Sequence, residues 1–199
     1  MLKIIRNISE ASLEKIKIIS QFVLMLAASV VLGVCISKAF SAQFMGAALS
    51  TILRHFSPHA ENVILKDAFV RYVLFTLPDI ITAIILLIFS FSFINYIVSD
   101  VVIVVYGVRL GIAASLVSAM QEVGMFDRVM FFVLRSVIPL LVLVLSYKLA
   151  SSAVDIRIFS SSGRLISDKT KIIQMFLTTL AFVGLVLLLK GLYCLCLYI

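Results

Sequence analysis

Apolar residues in this chain come in long runs, and the polar residues gather between the runs. Residues 18–37 carry no charge. A helix of that length crosses a hydrocarbon core of about 30 Å. Residues 72–120 are almost wholly apolar, and one unbroken helix there would be about 70 Å long, more than twice the membrane. The chain must turn back, and the cluster of Asn, Tyr, Ser and Asp at Asn95 to Asp100 is the expected place. Two further apolar runs follow. The pattern predicts an all-α, polytopic helical membrane protein with about five transmembrane helices, at about 18–37, 73–94, 101–120, 130–150 and 172–189. These form a single membrane domain over 1–199, with an outer loop at 38–71 and a cytoplasmic loop at 151–171. No polar stretch reaches the ~50 residues of a soluble domain.

Within the third run, Gly107, Gly111, Ser115 and Ala119 recur every four positions. On a helix that spacing makes one narrow face of small residues, which lets another helix backbone approach closely. The third span is therefore expected to be the central helix. The first span has a similar face in Ser29, Gly33 and Ser37. At its approach, Ser9 is expected to cap a short helix from Glu10. In the outer loop, Phe44, Met45, Ala48, Leu49, Ile52 and Leu53 have the three-and-four spacing of a short amphipathic helix. The first apolar run is too long for a cleavable signal, and no A-x-A site follows it.

Composition narrows the class. The chain is 63% apolar and 14% charged, too apolar for a soluble domain. Its net charge of +7 is scattered between apolar runs, so it forms no nucleic-acid-binding stripe. The basic residues report orientation instead. Lys3, Arg6, Lys15 and Lys17 fall on one side with Lys148, Arg157, Arg164, Lys169 and Lys171. Lys38, Arg54, Lys66, Arg71 and Arg128 are spread over the other. The bias predicts an N-in, C-out, multi-pass protein of the cell membrane. Cys35, Cys194 and Cys196 have neither disulfide nor metal spacing and read as buried apolar thiols.

Charges within the bilayer are costly, so Asp79, Arg109 and Arg135 are the candidate functional residues. An Asp79–Arg135 or Asp79–Arg109 pair would lower that cost; otherwise the arginines snorkel to headgroups or line a polar crevice. Lys148 and Lys190, near span ends, are expected to snorkel. Pro78 and Pro139 read as kinks that let helices pack. His55, His59 and Glu61 lie close together, but Pro58 separates the histidines and no third strong ligand has metal-site spacing. There is no H-E-x-x-H, no phosphate-binding loop and no nucleophile elbow. The expectation is a protein with no catalytic group, metal or cofactor, whose partners are the lipid bilayer and other membrane proteins. The small-residue faces also leave room for a homo-oligomer.

The layout of one span, a modest outer loop and four further spans resembles the stage II sporulation protein M family. YGVRLGIAASL, Tyr106 to Leu116, is similar to that family's aromatic-Gly-x-x-x-Gly helix. GMFDRVMFFVLRSVIP, Gly124 to Pro139, and the SYKLASSA after it resemble its leucine-rich run and small-residue helix end. The likeness covers about residues 18–155. Leu140 and Leu141 stand where polar residues often follow the family's proline, and Arg109 and Arg135 are unusual for it. The resemblance implies a non-catalytic anchor in the septal or engulfing membrane, which recruits peptidoglycan hydrolases that act outside. The competing expectation is a subunit of an ABC-type exporter or other small transporter. Asp79, Arg109 and Arg135 would then line a path, with the ATPase on another chain.

Overall fold

The computed structural model describes residues 2–39, 65–92, 94–119, 125–160 and 166–198. Regular structure among them is helical throughout: α1 (Leu2–Ala39), α2 (Leu65–Ser90), α3 (Asn95–Ala119), α4 (Met125–Ser160) and α5 (Ile166–Tyr198). Each holds a stretch long and apolar enough to cross a membrane: Ser12–Ala39, Tyr72–Ser90, Asn95–Ser118, Arg135–Ile156 and Lys169–Leu192. The fold is all-α and polytopic. α1 runs unbroken from Leu2, so Ser9 lies inside a helix and does not begin one. α2 and α4 continue through Pro78 and Pro139. The expected amphipathic helix at Phe44 to Leu53 falls outside the described residues.

The reversal between α2 and α3 comes earlier than expected. It lies at residues 91–94, and Asn95 already belongs to α3. Ser92 organises it: its N–H donates to the Phe89 carbonyl at 2.9 Å, and its own carbonyl accepts from the Asn95 N–H at 3.4 Å. The polar cluster at Asn95–Asp100 is helical, and three of its side chains make hydrogen bonds within the helix or to α1. The Ser99 hydroxyl donates to Asn95 Oδ1 at 3.3 Å, and Gln21 Nε2 of α1 donates to Asp100 Oδ2 at 2.8 Å.

These contacts also fix helix directions. Gln21 meets Asp100 and Ser29 meets Gly107, so α1 and α3 run parallel. Lys15 meets Asp155, and Asp155 meets Lys171, so α4 runs against both α1 and α5. The amino end of α1, the carboxyl end of α4 and the amino end of α5 share one end of the bundle.

The central helix is α4, a correction to the expectation for α3. α4 packs against each of the other four helices. Its apolar window is 44% buried, against 33% for α3. One face of α4 gives Val142, Leu145 and Leu149 to a core with Ala83, Leu86, Tyr106, Met175, Phe182 and Val186. The other gives Ala150 and Val154 to a core with Ile18, Phe22 and Ile103. Large apolar side chains such as Leu24, Leu74, Ile97, Val144 and Leu180 face outward on all five helices, as suits a lipid solvent. Cys35 is exposed as well, not buried as its apolar surroundings suggested.

The closest approach in the bundle is between α1 and α3. A Cβ added to Gly33 would fall on the Val108 carbonyl, and one added to Gly111 on the Val30 carbonyl. One at Gly107 would strike the Ser29 side chain. Ser29 turns its hydroxyl back onto the Leu26 carbonyl at 2.9 Å, so it presents a small, satisfied surface to the seam. Ser115 is half-buried one turn further along, and the side chain of Ala119 lies outside the described residues. At Gly33 and Gly111 the obstacle is backbone, which cannot swing aside. Gly33→Ala and Gly111→Ala should each cost about 1–3 kcal/mol in reversible unfolding from mixed micelles. Gly184, with nothing within 4 Å of an added Cβ, is the control. Gly184→Ala should stay within about 0.5 kcal/mol of the parent.

Candidate functional site

α2, α3 and α5 converge on Asp79. The residue stands seven positions into the α2 apolar stretch, about 10 Å along the helix from Tyr72. It is 2% exposed. The Tyr106 hydroxyl of α3 donates to Asp79 Oδ1, and the Lys190 ammonium of α5 meets Oδ2. Oδ2 accepts no further hydrogen bond among the described residues, so Lys190 is its compensation. Lys190 is 4% exposed and Tyr106 is 5% exposed. An acid, a base and a phenol are thus closed off together, where an unpaired charge would cost several kcal/mol.

Local geometry explains the convergence. The Thr82 hydroxyl donates to the Pro78 carbonyl at 2.8 Å, and Thr76, nearly two turns before, donates to the Tyr72 carbonyl at 2.7 Å. The helix around Pro78 therefore satisfies its own hydroxyls. Tyr106 gives its single proton to Asp79, so its 3.4 Å approach to Thr82 Oγ1 is a polar contact with no second proton to donate. Tyr72 ties α2 to α5 a second time by donating to the Leu187 carbonyl at 3.0 Å.

This arrangement corrects two expectations. Among the described residues Asp79 forms its ion pair with Lys190 and with neither arginine. Lys190 does not snorkel, because α5 continues for two more turns beyond it and carries it inside the bundle. Lys148 is exposed. Arg109 lies at the bundle surface with its guanidinium carbon 5.4 Å from the Tyr106 ring centre, a cation–π distance. Arg109 and Arg135 both act electrostatically on Lys190.

Gly107, Gly111, Ser29 and Gly33 meet one another across the α1–α3 seam, away from Asp79. His55, His59 and Glu61 fall outside the described residues, as do the side chains of Cys194 and Cys196. Sequence reasoning missed Lys190 as a site residue. The signal was there: GLYCLCLYI follows Lys190, so the lysine has apolar chain on both sides of it.

The fold and site define a polytopic helical bundle with an internal acid–base latch. Compared with family models, curated proteins and solved structures, the chain matches none.

Truncating the base alone should expose the latch. Lys190→Ala leaves Asp79 buried and unpaired and should cost about 3–5 kcal/mol in micelle unfolding. The uncharged double variant Asp79→Asn/Lys190→Met should recover most of that loss. Tyr106→Phe removes a hydrogen bond to a charged acceptor and should cost about 1.5–3 kcal/mol.

Proposed function

We propose that the protein is a non-catalytic anchor of the cell membrane, oriented N-in and C-out. In this reading it recruits cell-wall hydrolases during sporulation, in the manner of the stage II sporulation protein M family that its layout resembles. The observation that carries the reading is the closure of Asp79 on Lys190. A carrier needs its intramembrane charges open to a solvated path at some stage. Here the acid and its base are committed to each other in a packed contact between α2 and α5. That suits a rigid frame better than a subunit of an exporter.

A second feature directs where partners bind. The small-residue faces of α1 and α3 are used on each other. At Gly33, Gly107, Gly111 and Ser29 they are not free for a partner helix, nor for a second copy of the chain. Recognition then falls to the segment between α1 and α2, which the N-in orientation puts outside, where wall hydrolases act.

Photocrosslinking residues placed in 40–64 test this in cells. The expected product is an adduct with a peptidoglycan hydrolase, and Asp79→Asn should weaken the protein without changing that partner. An ATPase captured from the segment between α4 and α5, with no hydrolase captured from 40–64, would move the assignment to a transporter subunit.

A further inference from the structure

At the end of the bundle opposite Asp79, α1, α4 and α5 enclose a crevice of about 490 Å³. Lys15, Lys148 and Lys171 line it, against one acid, Asp155. Lys15 holds Asp155 Oδ1 at 2.6 Å and Lys171 holds Oδ2 at 3.2 Å. Each carboxylate oxygen is thus taken, while every ammonium has three donors. Lys148 makes no ion pair among the described residues. Among the described lining residues, three cations against one anion leave two positive charges in excess.

Polar and apolar side chains alternate along the crevice. Asp155, Lys15 and Lys171 lie where three helices leave their apolar stretches. Further in, about 12 Å along α4 from Asp155, the lining includes Tyr147, Lys148 and Leu149, with Leu177 and Thr178 alongside. Basic pockets between transmembrane helices at this level suit anionic lipid headgroups, and Tyr147, Leu149 and Leu177 offer an acyl chain apolar contact between the polar side chains. A soluble phosphate ester would use the mouth alone.

We propose that this crevice binds the phosphodiester headgroup of an anionic phospholipid, with Lys148 and Lys171 as the principal phosphate donors and an acyl chain along α4 and α5. Asp155 positions Lys15 and Lys171 at the mouth. The site is independent of the Asp79 latch and of the partner reading.

Native mass spectrometry of the purified full chain in detergent tests the proposal. Phosphatidylglycerol and phosphatidylcholine are added in equal amounts, and a separate arm adds glycerol 3-phosphate. Retention of phosphatidylglycerol should exceed that of phosphatidylcholine by about tenfold. The preference should vanish in Lys148→Gln/Lys171→Gln and fall in Lys148→Gln alone, and glycerol 3-phosphate should not displace the lipid. Lys148→Gln removes an exposed side chain with no ion pair, so it decides the matter if the double variant does not fold. Equal retention of the two lipids by the parent protein, or an unchanged preference in Lys148→Gln, would overturn the proposal. Displacement by glycerol 3-phosphate would do so too, by making the site one for soluble phosphates.

Discussion

Helices solvated by lipid gain nothing by moving an apolar side chain from acyl chains to a neighbouring helix. What holds this bundle is therefore what lipid cannot supply. One such contact is the near-touching of the α1 and α3 backbones at Gly33, Gly107 and Gly111, where dispersion contacts are dense because no side chain intervenes. The other is the pairing of Asp79 with Lys190 under Tyr106, where separation would leave two charges in hydrocarbon. The first binds α1 to α3 and the second binds α2 to α5. α4 lies between these pairs and touches all four helices.

The parts of the fold legible in the sequence are those that a single physical constraint decides. Hydrocarbon thickness sets the length of a membrane crossing, so five apolar runs of sufficient length are readable as five helices. Tertiary choices are less legible. The polarity of Asn95–Asp100 points to a turn there. Yet Asn95, Ser99 and Asp100 bond within the helix or to Gln21, and the chain reverses at Ser92. α4 has no glycine row to advertise it as the centre, and its small buried residues, Ser146, Ala150 and Ala153, come only late in its run. It holds that position through Val142, Leu145 and Leu149 on one face and Ala150 and Val154 on the other.

The candidate site is half legible. Asp79 stands out because a carboxylate in an apolar run has few innocent explanations. Its partner is obscured because Lys190 lies at the apparent end of the fifth apolar run. Arg109 and Arg135 look better placed by depth, but depth along separate helices says nothing of which faces meet. The Lys15–Asp155–Lys171 cluster is invisible for the same reason: it joins residues from three helices whose packing no local pattern encodes.

The latch also sets an order for biogenesis. Asp79 and Lys190 are separated by 111 positions, and at ~5–20 residues per second the ribosome takes roughly 6–22 s to bridge them. During that interval α2 must enter the bilayer with its carboxylate uncompensated, either neutralised by a proton or sheltered by the insertion machinery. A nascent chain that stalls before α5 displays that polar defect to lipid. The fifth helix thus supplies the charge that closes the contact.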